Sequence, residues 1–134
     1  HVPHAHTDGD SFIYFKKANV IPAGDIFFNG FYPFIDVTHG GSLKGMIKAA
    51  DKILSLADDK TKIIPGHGPM GDKAKLAGYR QMLRTAYERL RKLKAEGKTA
   101  QEAVAAKPLA DLEGTWGDGI FTSDRWIEII YSGV

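Results

Sequence analysis

The sequence contains no cysteine, which excludes disulfides, a thiolate nucleophile and any cysteine-ligated metal. That absence suits oxidising and reducing surroundings alike, so the compartment stays open. There is no apolar run long enough to cross a membrane and no basic-then-apolar leader, so no membrane partner is expected. A charge excess is missing too: 18 Lys and Arg stand against 16 Asp and Glu, a balance that argues against nucleic acid as a partner. The opening His1-Val2-Pro3 lacks methionine, as expected of a processed or truncated product. What is present suffices for one domain over residues 1–134: at 43% hydrophobic content, a chain of this length buries about two thirds of its unfolded surface.

Short apolar runs dominate the first third. Phe12-Ile13-Tyr14-Phe15 and Asn19-Val20-Ile21, separated by Lys16-Lys17-Ala18, predict a hairpin, and Ile26-Phe27-Phe28 predicts a further strand that Asn29-Gly30 ends. Lys62-Ile63-Ile64 is a fourth. Leu43, Met46, Ile47, Ala50, Ile53, Leu54 and Ala57 recur at helical spacing after Ser42, a suitable N-cap, and Asp58-Asp59-Lys60 breaks the pattern. A longer helix is predicted from about Asp72 to Glu96, with Leu76, Tyr79, Leu83, Tyr87, Leu90 and Leu93 on one face and Gly97 as its stop. Its Arg80, Arg84, Arg89, Arg91 and Lys92 read as a solvated face rather than a nucleic-acid surface. Thr99-Ala100-Gln101-Glu102 has the form of a capping box opening a short helix that ends before Pro108. The segment holding Trp116-Gly117-Asp118-Gly119 and Trp126-Ile127-Glu128-Ile129-Ile130-Tyr131 fits strand and helix equally.

The chemistry concentrates in Ile63-Ile64-Pro65-Gly66-His67-Gly68-Pro69, where a strand runs into a Gly-flanked histidine. Such glycines allow unusual dihedrals and close approach of a ligand, and neutral imidazole suits zinc and related divalent ions. The plainer reading is a turn carrying a solvated histidine. Two further potential ligands weigh against it: His6 in His6-Thr7-Asp8-Gly9-Asp10, and Asp25 in Ala23-Gly24-Asp25, both beside apolar runs. Together His6, Asp25 and His67 read as one metal site.

These segments, with Tyr32-Pro33-Phe34-Ile35-Asp36 and Gly40-Gly41-Ser42 in the same order, resemble the C-terminal half of a metallo-β-lactamase-fold hydrolase. The similarity covers nearly the whole chain and extends through Gly97-Lys98-Thr99 and Ala105-Ala106-Lys107-Pro108 to Trp116-Gly117, a tail of the cyclase-like or general hydrolase branch. It implies an α/β fold: half of an αββα sandwich, a small sheet of about four strands with helices on one face. It also implies that His6 completes a first metal position, that Asp25 bridges toward or binds the second metal, and that His67 is a ligand of the second. One or two zinc ions would then activate water, so that no catalytic side-chain nucleophile is required of a chain with no evident Ser/His/Asp arrangement.

The departure matters as much. The family's His-x-His-x-Asp-His motif is missing; His4-Ala5-His6-Thr7-Asp8-Gly9 fits only as far as the aspartate and has glycine where the last histidine belongs. Three ligands split over two positions leave at most two on either ion, whereas a catalytic zinc takes three plus water. The isolated chain is therefore expected to bind zinc weakly and hydrolyse little, as a fragment, a natural half-length protein, or one half that pairs with another chain. A half-sandwich also bares a sheet face, expected to carry Phe12, Phe15, Ile26 and Phe28 and to drive homo-oligomerisation or pairing with a complementary N-terminal half. The substrate, if the chain is active, is a small molecule that specificity loops would define. A different reading is a non-catalytic interaction or assembly module that retains the half-fold.

Other residues carry two readings each. Asp8 and Asp10 either hydrogen-bond to a ligating histidine or to metal-bound water, or are ordinary Asp-Gly-Asp turn chemistry. His1 and His4 either extend the ligand cluster or belong to a terminal segment. His39 reads as a loop histidine, and Tyr32, Tyr131 and Trp116 as core aromatics rather than pocket lining.

Overall fold

The computed structural model describes residues 1–134 in full. Two parallel strands, β1 (Val20–Phe28) and β2 (Lys62–His67), are joined by helix α1 (Leu43–Leu56). A parallel pair needs such a crossover, because the chain must return to the end at which it began. Helix α2 (Lys73–Ala95) follows β2, and the tail folds into α3 (Ala100–Ala105), α4 (Glu113–Trp116) and α5 (Ser123–Ile130).

The predicted helix starts are realised by their caps. The Ser42 side chain accepts from the Gly45 N–H, Asp72 accepts from Lys75, and Thr99 and Glu102 form a reciprocal capping box. The ambiguous C-terminal segment is helical: Thr122 caps α5 by accepting from the Arg125 N–H, and Trp126, Ile127 and Ile130 face inward at helical spacing.

The expected four strands are corrected to two. Phe12–Phe15 makes only one antiparallel bridge, Phe15 with Val20, and a single bond from the Ile13 N–H to the Pro22 carbonyl. Pro22 has no N–H to return, so the ladder stops there. Asn19–Ile21 and Ile26–Phe28 are not separate strands but the start and end of β1. Gly24, at φ 55°, sits between them as part of an irregularity rather than a turn.

The inner side of the sheet places Ile21, Ala23, Ile26, Phe27 and Ile63 in full burial beneath α1 and α2. Phe27 meets Tyr79 of α2 at a ring separation of 5.3 Å. Asp51 of α1 pairs with Arg80 at 2.5 Å and Arg84 at 3.0 Å on α2. Partial burial pushes that carboxyl up, but the two guanidinium groups outweigh it and hold it below the usual range. The bare face is also corrected, because Ile26 and Phe28 lie inside this chain's own core and Phe12 is half-buried. Of the residues expected on that face only Phe15 is exposed; the other large exposed apolar side chains are Ile13, Ile64 and Met70, with Phe34, Leu56 and Ile120 elsewhere on the surface. Ile13 flanks Pro22, Pro22 pairs with Ile64, and the Ile63–Gly71 bridge sets Met70 beside Ile64, so one apolar row crosses the outer side.

The tail braces the segment after β1. Trp126 stacks on Tyr32 at 4.4 Å and donates its indole N–H to the Pro33 carbonyl at 2.7 Å, while the Tyr32 hydroxyl bonds Ser123 Oγ at 2.8 Å. Tyr32 and Tyr131 are thus core residues, and Trp116 packs half-buried against that core. The first ten residues dock on the start of α1, where the Ser42 N–H donates to the His4 and Ala5 carbonyls at 3.1 and 3.0 Å. Gly45 permits this, since any Cβ there would overlap the His4 carbonyl.

Two glycines of the long helices should therefore respond with opposite signs. Gly78→Ala in α2 meets no atom within 4 Å and should raise stability by about 0.5–1 kcal/mol through helix propensity. Gly45→Ala should lower it by about 1–3 kcal/mol, because the N-terminal segment must move. Urea unfolding of both variants checks this; equal midpoints would show that the segment is not seated on α1.

Candidate metal centre

The site begins at the irregular register of the sheet. Ile21 pairs with Ile63 and Pro22 with Ile64, but Gly24 pairs with Pro65 and Phe28 with His67. Asp25, Ile26 and Phe27 thus face the single residue Gly66. The bulge turns Asp25 toward the end of β2, and its carboxylate lies over Gly66, where a Cβ would overlap Oδ1 and come within 2.8 Å of the Gly24 carbonyl carbon.

His67 ends β2. Its ring stacks on Phe28 at 4.7 Å, and its carbonyl accepts from the Asn29 N–H at 2.9 Å. Asn29, almost fully buried, also donates its side-chain amide to the Pro69 carbonyl at 2.8 Å. Gly68, at φ 93°, keeps the turn tight, for a Cβ there would lie 2.5 Å from the Asn29 carbonyl oxygen. His6 arrives from the N-terminal segment, whose path is fixed when the Asp36 N–H donates to the His6 carbonyl at 2.8 Å. The His6 ring sits 2.7 Å through Nδ1 from the Phe34 carbonyl. A carbonyl only accepts, so Nδ1 carries a proton, and in the neutral ring the Nε2 lone pair is free.

That lone pair faces Asp25. His6 Nε2 lies 3.5 Å from Asp25 Oδ2, and His67 Nε2 lies 3.4 Å from Asp25 Oδ1. Both gaps exceed an ordinary hydrogen bond. They match the separation of about 3.3–3.6 Å between two donors that each sit about 2.0–2.2 Å from one tetrahedral ion. Each carboxylate oxygen is therefore teamed with a different imidazole. No group of three His, Asp or Glu side chains converges on a common point, so neither position has a full ligand set within this chain. The arrangement is partly open to solvent, with His67 about half exposed and His6 largely covered.

The remaining sequence candidates lie elsewhere. Asp8 pairs with His4 at 3.2 Å, and Asp10 accepts from the Thr7 N–H at 2.6 Å, closing the turn that follows His6. Their side chains bond within the N-terminal loop. His1 bonds the Asp8 carbonyl and His4 approaches the Gly40 carbonyl, so these two histidines fasten that loop. His39 closes a 3-10 turn on Asp36 at 2.7 Å, and the Thr38 hydroxyl together with His39 lowers the Asp36 carboxyl to about 2. That depressed value means the turn's contribution is complete above the ordinary carboxylate pKa and fades only as pH falls from about 4 toward 2. A cavity of about 360 Å³ lies between residues 1–4 and Lys44, Lys48 and Lys52 of α1, and none of His6, Asp25 and His67 lines it.

Asn29 and the Phe34 carbonyl act as positioning groups that residue identity did not reveal, and Gly66 makes room for the Asp25 carboxylate. Asn29-Gly30 signalled a strand end and Gly66 a turn, while a main-chain carbonyl leaves no trace in residue identity.

No protein-family model matches the chain, and no curated protein matches it. Among solved structures, VMB-1 at pH 5.5 aligns with 64% of this chain and 39% of its own at 16% identity and a TM-score of 0.50. TTHA1623 in a di-iron-bound form aligns with 57% of this chain and 37% of its own at 27% identity and a TM-score of 0.49. The likeness gives the matched region a metallo-β-lactamase-like fold and nothing finer. The matched region spans well under half the length of either neighbour.

Gly66→Ala tests the geometry directly. It should destabilise by about 1–3 kcal/mol and shift the imidazole NMR resonances of both His6 and His67, because Asp25 must move. Unchanged resonances would mean that the carboxylate does not lie over Gly66.

Proposed function

We propose that this chain supplies one side of a zinc-dependent hydrolase centre of the metallo-β-lactamase type, with His6 and Asp25 at one metal position and Asp25 and His67 at the other. The observation that carries the reading is the placement of two imidazole Nε2 atoms 3.5 and 3.4 Å from opposite oxygens of one carboxylate. Imidazole and carboxylate donors without thiolate suit zinc among several divalent ions. When bound, zinc lowers the pKa of a coordinated water toward neutrality and polarises a substrate carbonyl. This chain's own residues orient: Phe34 sets the His6 ring, Asn29 sets the His67 turn, and the bulge over Gly66 aims Asp25.

Two protein ligands per position are too few for a catalytic zinc, so the centre is completed by a complementary polypeptide half. We place that half on the apolar row Ile13, Pro22, Ile64 and Met70, an outward stripe on a sheet already covered by helices on its other side. In its absence a second copy of the chain should occupy the row. The same row supports a second reading, an assembly module that keeps the half-fold without catalysis.

Elemental analysis and zinc titration separate the two. The wild type should bind zinc weakly, and His67→Ala or His6→Ala should weaken it at least about tenfold, or ~1.4 kcal/mol. Zinc binding unaltered by either change would discard the metal reading in favour of the assembly module. Light scattering tests the face: the wild type should self-associate and Ile64→Asp should not. A wild type that stays monomeric at high concentration would count against the row as an interface between copies.

A further inference from the structure

Both imidazoles are set in aromatic surroundings that continue outward to solvent. His67 stacks on Phe28, and Phe28 meets Phe31 edge-on at 5.9 Å. His6 meets Phe34 edge-on at 5.6 Å, and Phe34 lies 6.3 Å from Phe121. Phe34 is 39% exposed and Ile120 is 52% exposed, while Phe31 and Phe121 are half-buried. The loop between α4 and α5 presses on this cluster, since a Cβ at Gly119 would overlap Phe31. An apolar rim therefore borders the His6–Asp25–His67 row.

Resting on the metal-centre reading, we infer that Phe34, Ile120 and Phe121 form a subsite for an apolar aryl or alkyl group carried by the substrate beside its hydrolysed bond. Phe34 ties the two functions together. Its carbonyl fixes the ring of His6, and its side chain faces outward next to that ring, so a molecule reacting at the centre has this apolar surface against its flank. The wall is also held in place. Tyr32 and Pro33, directly before Phe34, are fastened to Trp126 and Ser123 of α5, and Phe121 directly precedes the α5 cap Thr122. Among the aromatic and aliphatic side chains named in the rim, none is charged, so an anionic or strongly hydrated group would lose hydration there without a compensating partner. An aryl or alkyl group would instead remove both its own surface and that of Phe34 and Ile120 from water.

The test uses hydroxamates, which pair a metal-binding head with a variable tail, on the zinc-loaded full chain. Benzohydroxamate should bind the wild type at least about tenfold more tightly than acetohydroxamate, consistent with burying one ring face. Phe34→Ala should bring the preference for benzohydroxamate over acetohydroxamate below about threefold. Ile120→Ser, at an exposed loop position, should reduce the preference partly. Benzohydroxamate should also shift the ring resonances of Phe34 and Phe121. Equal affinities in the wild type, or a preference that survives Phe34→Ala, would overturn the subsite while leaving the metal reading intact. Failure of acetohydroxamate to bind any zinc-loaded sample would overturn the metal reading and the subsite with it.

Discussion

Everything proposed for this molecule depends on the Asp25 carboxylate and the way it is held between two imidazoles. Nothing local to Asp25 would aim it there. The aim comes from a register fault in which β1 uses nine residues where β2 uses six, and from the absence of a side chain at Gly66. A regular ladder would alternate residues between faces and send Asp25 either into the core or out among solvent. The bulge is what converts a two-stranded sheet into a platform for paired donors.

The two imidazoles are delivered by different means. His67 belongs to the sheet itself, held by ring stacking on Phe28 and by Asn29. His6 belongs to a segment that has no sheet partner and is seated instead on the start of α1 through Ser42, Gly41 and Gly45. The glycines in Gly40-Gly41-Ser42 thus do more than open a helix: a Cβ at Gly41 would overlap the His6 carbonyl. The helix start and the candidate ligand are one packing problem.

Much of this was legible in residue order. The caps Ser42 and Thr99 marked α1 and α3, and apolar spacing with the Gly97 stop marked α2, because helix signals are local: Ser42, Asp72 and Thr99 satisfy N–H groups three residues away. The Gly-flanked and turn-like settings of His6, Asp25 and His67 singled these residues out, and the structure brings each imidazole to within 3.5 Å of the Asp25 carboxylate. Strand number was not, since an apolar run says nothing of its partner. Phe12–Phe15 fails as a strand because the neighbouring Pro22 cannot return a bond, and Gly24 joins two apolar runs that looked separate. Thr122 did carry a cap signal for α5, but the near-continuous apolar stretch after Trp126 masked it. The bare face was read rightly at Phe15 and wrongly at Ile26 and Phe28 for the same reason: which apolar residue points outward follows from register, and register is a property of pairs of segments.

The unequal anchoring of the two imidazoles has a thermodynamic consequence. Asp25 and His67 share one hydrogen-bonded ladder and should separate only when the sheet itself opens. His6 is held by a handful of main-chain bonds to the edge of a helix and can be released by fraying of that docking alone. On warming, the carboxylate should therefore lose its neighbours in sequence rather than together, so that one oxygen keeps its imidazole through a range of temperature in which the other has already been freed.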